Sequence, residues 1–183
     1  LTVGVNSQGQ GADTLTGGTG TNDTLSITAV ANQAMVANDL DTVTAFENVT
    51  IANNVAFSVI TADEMNATVA MDVDASAMTS TIFTFNGAEE NDGTFNVTVG
   101  GTADHSITLG QLGDTLTSTS TGAITVVGTS GANTITLGTG ADLVTLGTGN
   151  DTLTLTLHYR DLVQVHSRPI KRFACTQWSL HLD

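Results

Sequence analysis

Aromatic side chains fill only 4% of the 183 positions, and the chain holds one Pro, one Cys, one Trp and one Tyr. A single Cys forms no intramolecular disulfide, so a chain working outside the cell needs another staple, for which bound metal is the candidate. Basic residues are almost as scarce: 4 Lys+Arg face 18 Asp+Glu, for a formal charge of −14 and a pI near 4.1. A field of that sign repels phosphate backbones and anionic lipid, which excludes nucleic-acid binding. Nothing approaches the ~18 consecutive apolar residues of a membrane span. The opening Leu1-Thr2-Val3-Gly4 has neither a basic n-region nor an apolar h-region. A soluble chain, cut from its native start and without membrane insertion, is expected.

The scarce residue types are also unevenly placed. Arg160, Arg168, Lys171 and Arg172 all follow residue 157, as do Tyr159, Pro169, Cys175 and Trp178. Residues 1–157 hold 16 acids, no Lys or Arg, and His105 as their one imidazole. The chain therefore divides into a domain at 1–157 and a compositionally foreign tail at 158–183. The tail reads either as a terminal cap, with Phe173, Trp178 and Leu180 as apolar cover, or as a cloning scar or change of reading frame. The chain is rich in Thr, at 34 residues, and in Gly, at 19. That composition favours many short strands and tight turns over helices.

Two nine-residue units stand in tandem, Leu137-Gly-Thr-Gly-Ala-Asp142-Leu-Val-Thr145 and Leu146-Gly-Thr-Gly-Asn-Asp151-Thr-Leu-Thr154. A looser unit at Val127–Thr136 has one inserted residue and Asn133 in the Asp position, and Leu109–Thr117 keeps the frame with Asp114. Near the start, Gln8–Thr16 fits without gaps and brings Asp13, while Gly17–Leu25 fits with one insertion and brings Asp23. The repeats thus cluster at 8–26 and 109–154.

These units resemble the repeats-in-toxin (RTX) nonapeptide, a Gly-rich calcium-binding turn followed by a short strand. The residue types support the chemistry independently. Glycines admit left-handed backbone and expose carbonyl oxygens, and the Asp adds a hard anionic oxygen to a shell in which Ca²⁺ takes six to eight. The metal candidates are therefore Asp13, Asp23, Asp114, Asn133, Asp142 and Asp151, with Gly138, Gly140, Gly147 and Gly149. The aliphatic at position eight (Leu15, Leu25, Leu116, Ile135, Val144, Leu153) is expected to point into a core. The resemblance implies an all-β, right-handed parallel β-solenoid (β-helix or β-roll) whose loops alternate sides. The loop of Asn133 then faces that of Asp151, and Asp142 lies opposite. The same Gly-Thr-Gly-Asn-Asp wording also suits a solenoid turn that needs no metal.

Between the clusters, strand-like segments include Asp41–Ile51 and Asn54–Ile60, and Thr94–Val99 alternates so that Phe95, Val97 and Val99 share a face. Thr61–Ala67 reads as one capped helical turn, and Ala29–Leu40 is the other helix candidate. The wording of this middle resembles the β-strand-repeat region of bacterial S-layer and adhesin proteins of the RTX group. Asp39-x-Asp41 and Asp72-x-Asp74 each put two carboxylates on one strand face, with plain exposure the favoured reading. Glu89-Glu-Asn-Asp-Gly93 reads as a solvated acidic turn of the hairpin kind or as further calcium ligands, and His105 as a surface residue. Sequons at Asn22, Asn48, Asn66, Asn96 and Asn150 follow from the abundance of Thr.

Catalysis is not expected. Nucleophilic mechanisms need a base and an orienting group, and His105 alone would fill every role. The functional expectation is an extracellular structural protein at a bacterial cell surface, secreted by a type I channel, folding with Ca²⁺. It would self-assemble as a homo-oligomer, lattice or filament, with a cell-surface glycan as a further partner. The alternative is a calcium-binding secretion and folding module of a larger adhesin or hydrolase.

Overall fold

The computed structural model describes residues 2–3, 15–28, 43–52, 55–61, 70–156, 162–165 and 172–175. Among them are seventeen strands and no helix: β1 (Thr2–Val3), β2 (Leu15–Thr16), β3 (Thr24–Ile27), β4 (Val43–Thr44), β5 (Asn48–Ile51), β6 (Phe57–Ile60), β7 (Ala70–Ala75), β8 (Phe83–Asn86), β9 (Thr94–Val99), β10 (His105–Thr108), β11 (Thr115–Ser118), β12 (Ile124–Val127), β13 (Thr134–Leu137), β14 (Leu143–Leu146), β15 (Thr152–Leu155), β16 (Leu162–Val165) and β17 (Arg172–Cys175). The two helix candidates, 29–40 and 61–67, lie outside the described residues apart from Thr61.

Every strand pairing is parallel, and consecutive strands fall in different sheets. One sheet runs β1-β3-β5-β7-β9-β11-β13-β15-β17 and the other β16-β14-β12-β10-β8-β6, with β2-β4 as a short separate pair. The chain is thus an all-β parallel solenoid, each coil contributing one strand to each face. The strand sequences explain this directly. Runs such as Thr134-Ile-Thr-Leu137 and Thr152-Leu-Thr-Leu155 alternate Thr with aliphatics, so one side of each strand is buried and the other wet. The expected position-eight aliphatics Leu25, Leu116, Ile135, Val144 and Leu153 are fully buried, and Leu15 packs against the same core. Phe95, Val97 and Val99 share the inner face of β9 as the alternation predicts.

The register shows two kinds of coil. It advances 24 residues at each step from Thr24 to Asn48, Asp72 and Asn96, then 19 to Thr115, 19 to Thr134 and 18 to Thr152. Eighteen residues are two nonapeptides, one for each face. The wide coils hold the aromatic core, where Phe85 meets Phe95 edge-on at 5.0 Å between ring centroids and Phe83 at 6.5 Å. Within the 158–183 stretch, β16 pairs with β14 and β17 with β15, so the backbone of those strands continues both sheets. Among the described residues no helix is long and apolar enough to cross a membrane.

Candidate metal centre

The turns entering the odd-numbered strands stack into one column, because each ends one residue before a strand whose register is fixed. Asp114, Asn133 and Asp151 precede β11, β13 and β15, and all three are buried. Each reaches back one coil. Asp114 Oδ1 accepts the N–H of Phe95 at 2.8 Å and its Oδ2 accepts that of Gly110 at 2.8 Å. Asn133 Oδ1 accepts the N–H of Asp114 at 3.0 Å. Asp151 Oδ1 accepts the Asn133 N–H at 3.0 Å and the Asn133 Nδ2 amide at 3.1 Å, while the same amide donates to Ser130 O at 3.3 Å. Main-chain bonds run alongside, from Thr134 N to Asp114 O and from Thr152 N to Asn133 O, both at 2.8 Å. Asn133 therefore faces Asp151 as expected. Asp142 stands on the opposite side, buried, accepting the N–H of Ile124 at 2.9 Å.

Burial sets the electrostatics of the column. Removal from water penalises the ionised form of Asp114 and raises its carboxyl from 3.8 to about 6, against the Phe95 and Gly110 hydrogen bonds, which lower it. A cation beside such a group recovers that penalty.

The repeat glycines are required mainly by close approach. A Cβ on Gly138 would fall on the carbonyl oxygen of Ser120, on Gly140 on that of Gly122, on Gly147 on those of Thr129 and Gly128, and on Gly149 on that of Gly131. Of the four, only Gly149 has a positive φ, at 127°. The expectation of left-handed backbone thus holds there, while the other three glycines let one loop lie directly on the carbonyl oxygens of the loop before it. The result is a pair of stacked walls rich in backbone oxygen, one with the buried carboxylates of Asp114 and Asp151 and the other with that of Asp142. Among the described residues no group of three or more His, Cys, Asp or Glu gathers at one point. A cation held here would take most of its shell from main-chain carbonyls, which suits the hard, flexible shell of Ca²⁺.

Asp13 lies outside the described residues. Asp23 sits far up the same column as Asp114, one residue before β3. Its N–H donates to Glu47 Oε2 at 2.8 Å, and its Oδ2 is buried with no hydrogen-bond partner. Glu47 was not anticipated. The signal lay in the 24-residue offset that sets Phe46-Glu-Asn-Val-Thr-Ile51 on Asn22-Asp-Thr-Leu-Ser-Ile27.

Two sequence expectations are corrected. His105 is buried, its Nδ1 accepting the Phe83 N–H at 3.1 Å and its Nε2 lying 2.8 Å from Gly100 O. Its strand alternates inward at 105 and 107, which places the ring under the loop at 100–104. The 89–93 turn is no hairpin, since it links β8 to β9 across the two sheets. Glu90 is buried within it and accepts the N–H groups of Asp92 at 3.1 Å and Gly93 at 2.7 Å. Asp72 and Asp74 are exposed on β7, as the favoured reading had it, bonded to Asn96 Nδ2 and Ser76 N. Asp39 and Asp41 lie outside the described residues.

Comparison with known families adds to this geometry. The RTX calcium-binding nonapeptide repeat matches the chain in four copies, over residues 9–25 and 125–153. No curated protein and no solved structure matches. The chain carries RTX-type calcium-binding repeats on an all-β parallel solenoid, and calcium is the ion those motifs bind. Asp13, Asp23, Asn133, Asp142 and Asp151 fall within the matched residues. Asp114 lies outside them but continues the column.

Proposed function

We propose that this is an extracellular, non-catalytic structural protein of the bacterial cell surface whose solenoid folds on binding calcium and then associates with its own copies in a layer or filament. One observation carries the calcium part: two buried acids, Asp114 and Asp151, stacked on glycine loops with Asn133 between them, in a stretch of sequence with no Lys or Arg. The residues that would hold ions are Asp114, Asn133 and Asp151 on one side and Asp142 on the other, with main-chain oxygens at the loops of Gly138, Gly140, Gly147 and Gly149. Bound Ca²⁺ supplies positive charge against the buried carboxylates and stabilises the fold by mass action.

At −14, the calcium-free chain repels itself, which favours a loose state where calcium is scarce. Such a state suits passage through a type I channel, with folding outside where calcium is plentiful. The self-association part is supported by the architecture. Parallel solenoids have open ends and edge strands that can pair with neighbouring copies. A cell-surface glycan is a second partner consistent with a surface layer.

The test is far-UV circular dichroism with light scattering during addition of Ca²⁺ to EDTA-treated protein, with Mg²⁺ as control. A calcium-specific gain of β-structure followed by growth in particle size is expected. Gain of structure without growth replaces self-assembly by a secretion and folding module of a larger protein. A folded chain indifferent to calcium overturns the reading.

A further inference from the structure

The loops of Asp114, Asn133, Asp142 and Asp151 keep the nonapeptide frame, but one wall at the N-terminal end does not. The loop entering β3 is a repeat loop with Gly17, Gly18, Gly20 and Asp23, whereas one coil on, β4 and β5 are joined only by Ala45-Phe46-Glu47. That short link has no glycine and lies outside the matched residues. It nevertheless lies on the repeat loop as the repeat loops lie on one another. Gly17 N–H donates to Thr44 O at 3.1 Å, and a Cβ on Gly17 would fall on the carbonyl oxygen of Ala45 and come 2.8 Å from the Cβ of Asp23.

Three features make the short link act like a repeat loop. Among the described residues, Ala45 is the only non-glycine at positive φ, 57°, a left-handed turn of the kind glycine makes in repeat loops. Phe46 is buried in the core and fixes the link in place. Glu47 precedes β5 and so takes the register position of Asp114, Asn133 and Asp151. Like them it accepts a main-chain N–H from one coil back, that of Asp23.

Beside this wall the Oδ2 of Asp23 is buried with no hydrogen-bond partner. Gly20 leaves its approach open, since a Cβ there would come within 2.7 Å of that oxygen. A buried carboxylate oxygen without a donor is costly unless positive charge adjoins it. The sequence offers no Lys or Arg before Arg160.

We propose that Glu47 and the carbonyl oxygen of Ala45 complete a calcium site with Asp23, shared between one repeat loop and one link that has none of the repeat sequence. The inference rests on the calcium reading above and adds ligands that the repeat pattern does not include. The extra methylene of Glu47 gives its carboxylate the reach that the missing glycine turn would otherwise provide.

The test counts ions on the full calcium-saturated chain by native mass spectrometry, with isothermal titration for affinity, in wild type, Asp23→Asn, Glu47→Gln and the double variant. Each single variant should lose the same one ion and the double should lose no more than either, while Asp151→Asn keeps that ion. Circular dichroism at saturating calcium confirms that the variants fold. Should Asp23→Asn not fold, the Glu47→Gln count decides, because its amide oxygen still accepts the Asp23 N–H. A Glu47→Gln chain with the wild-type ion count and affinity overturns the assignment and leaves the calcium reading intact. A wild-type chain that binds no calcium overturns both.

Discussion

Replacing Asn133 by Asp perturbs the carboxylate column at its middle rung. In the wild-type chain the Asn133 amide donates to Asp151 Oδ1 at 3.1 Å. The variant puts a second carboxylate oxygen there instead. Two unit charges about 4 Å apart in an effective dielectric of ~20 repel by about 4 kcal/mol, and the lost hydrogen bond to a charged group adds about 1.5–3 kcal/mol. Sharing a proton between the two carboxyls limits the sum, so the net loss in the metal-free fold is set at about 4 kcal/mol. For a chain of this size that corresponds to roughly 10 °C in Tm, at about 2–4 °C per kcal/mol. At saturating calcium the added carboxylate has an opposite charge beside it, and the Tm should match or exceed that of wild type. Thermal unfolding is followed by circular dichroism at saturating calcium and at the lowest calcium where the wild-type chain is folded. An equal loss at both calcium levels refutes the placement of an ion between the Asn133 and Asp151 loops. No loss at either refutes the column itself.

Two further outcomes follow from single groups. Gly149→Ala puts a Cβ both at a φ of 127° and onto the Gly131 carbonyl, whereas Gly18→Ala meets a φ of 114° but open space. Gly18→Ala should therefore cost only the backbone term, ~1–3 kcal/mol, and Gly149→Ala distinctly more; equal losses in urea melts at saturating calcium contradict the close approach of the loops. Burial lifts Asp114 from 3.8 to about 6 against the Phe95 and Gly110 hydrogen bonds, so between those values the folded state holds more protons than the unfolded one. Stability of the metal-free fold should then rise by up to ~3 kcal/mol as pH falls from above 6 toward 3.8, and be lost as pH rises through 6. Urea melts at the lowest calcium where the wild-type chain is folded, run at both ends of that window, should show the slope in wild type and not in Asp114→Asn, and parallel pH dependence in the two chains contradicts it.

The nonapeptide frame was enough to place Asn133 opposite Asp151 and Asp142 on the other side, because eighteen residues make one coil and nine make half. It was not enough for the first half of the chain. There a coil takes 24 residues, the loops after residue 26 do not carry the nonapeptide, and the place of Glu47 in the column follows from the 24-residue offset rather than from the repeat. His105 departs from the sequence expectation for a different reason. Its polarity suggested the surface, but the alternation His105-Ser-Ile107-Thr-Leu109 already put it on the apolar side, and the ring is accommodated because backbone groups satisfy both nitrogens. For Glu90 the difference is topological. Gly-rich acidic turns suit hairpins, but in a parallel solenoid the same chemistry serves a crossover.

The column position one residue before each register-matched site reads Asp23, Glu47, Met71, Phe95, Asp114, Asn133, Asp151. The same corner of the coil is thus filled in two ways. In the middle it takes Met71 and Phe95, fully buried, and all five Phe residues of the first 156 lie between residues 46 and 95. Toward both ends it takes an acid or amide, and Glu47, Asp114, Asn133 and Asp151 each accept a main-chain N–H from the coil before. A wide 24-residue coil has the interior to bury rings at ~1.5–3 kcal/mol per large side chain. The core of the narrow coils from Leu116 to Leu155 is Leu, Ile and Val. The narrow coils therefore bury less apolar surface while also burying carboxylates, and they need a further source of stability, which in the proposed function is the ion. Because a solenoid's stability sums over each coil and its nearest neighbours, that need stays local. The aromatic coils draw more on burial, and the calcium requirement is expected to be greatest in the narrow coils of Asp114, Asn133, Asp142 and Asp151.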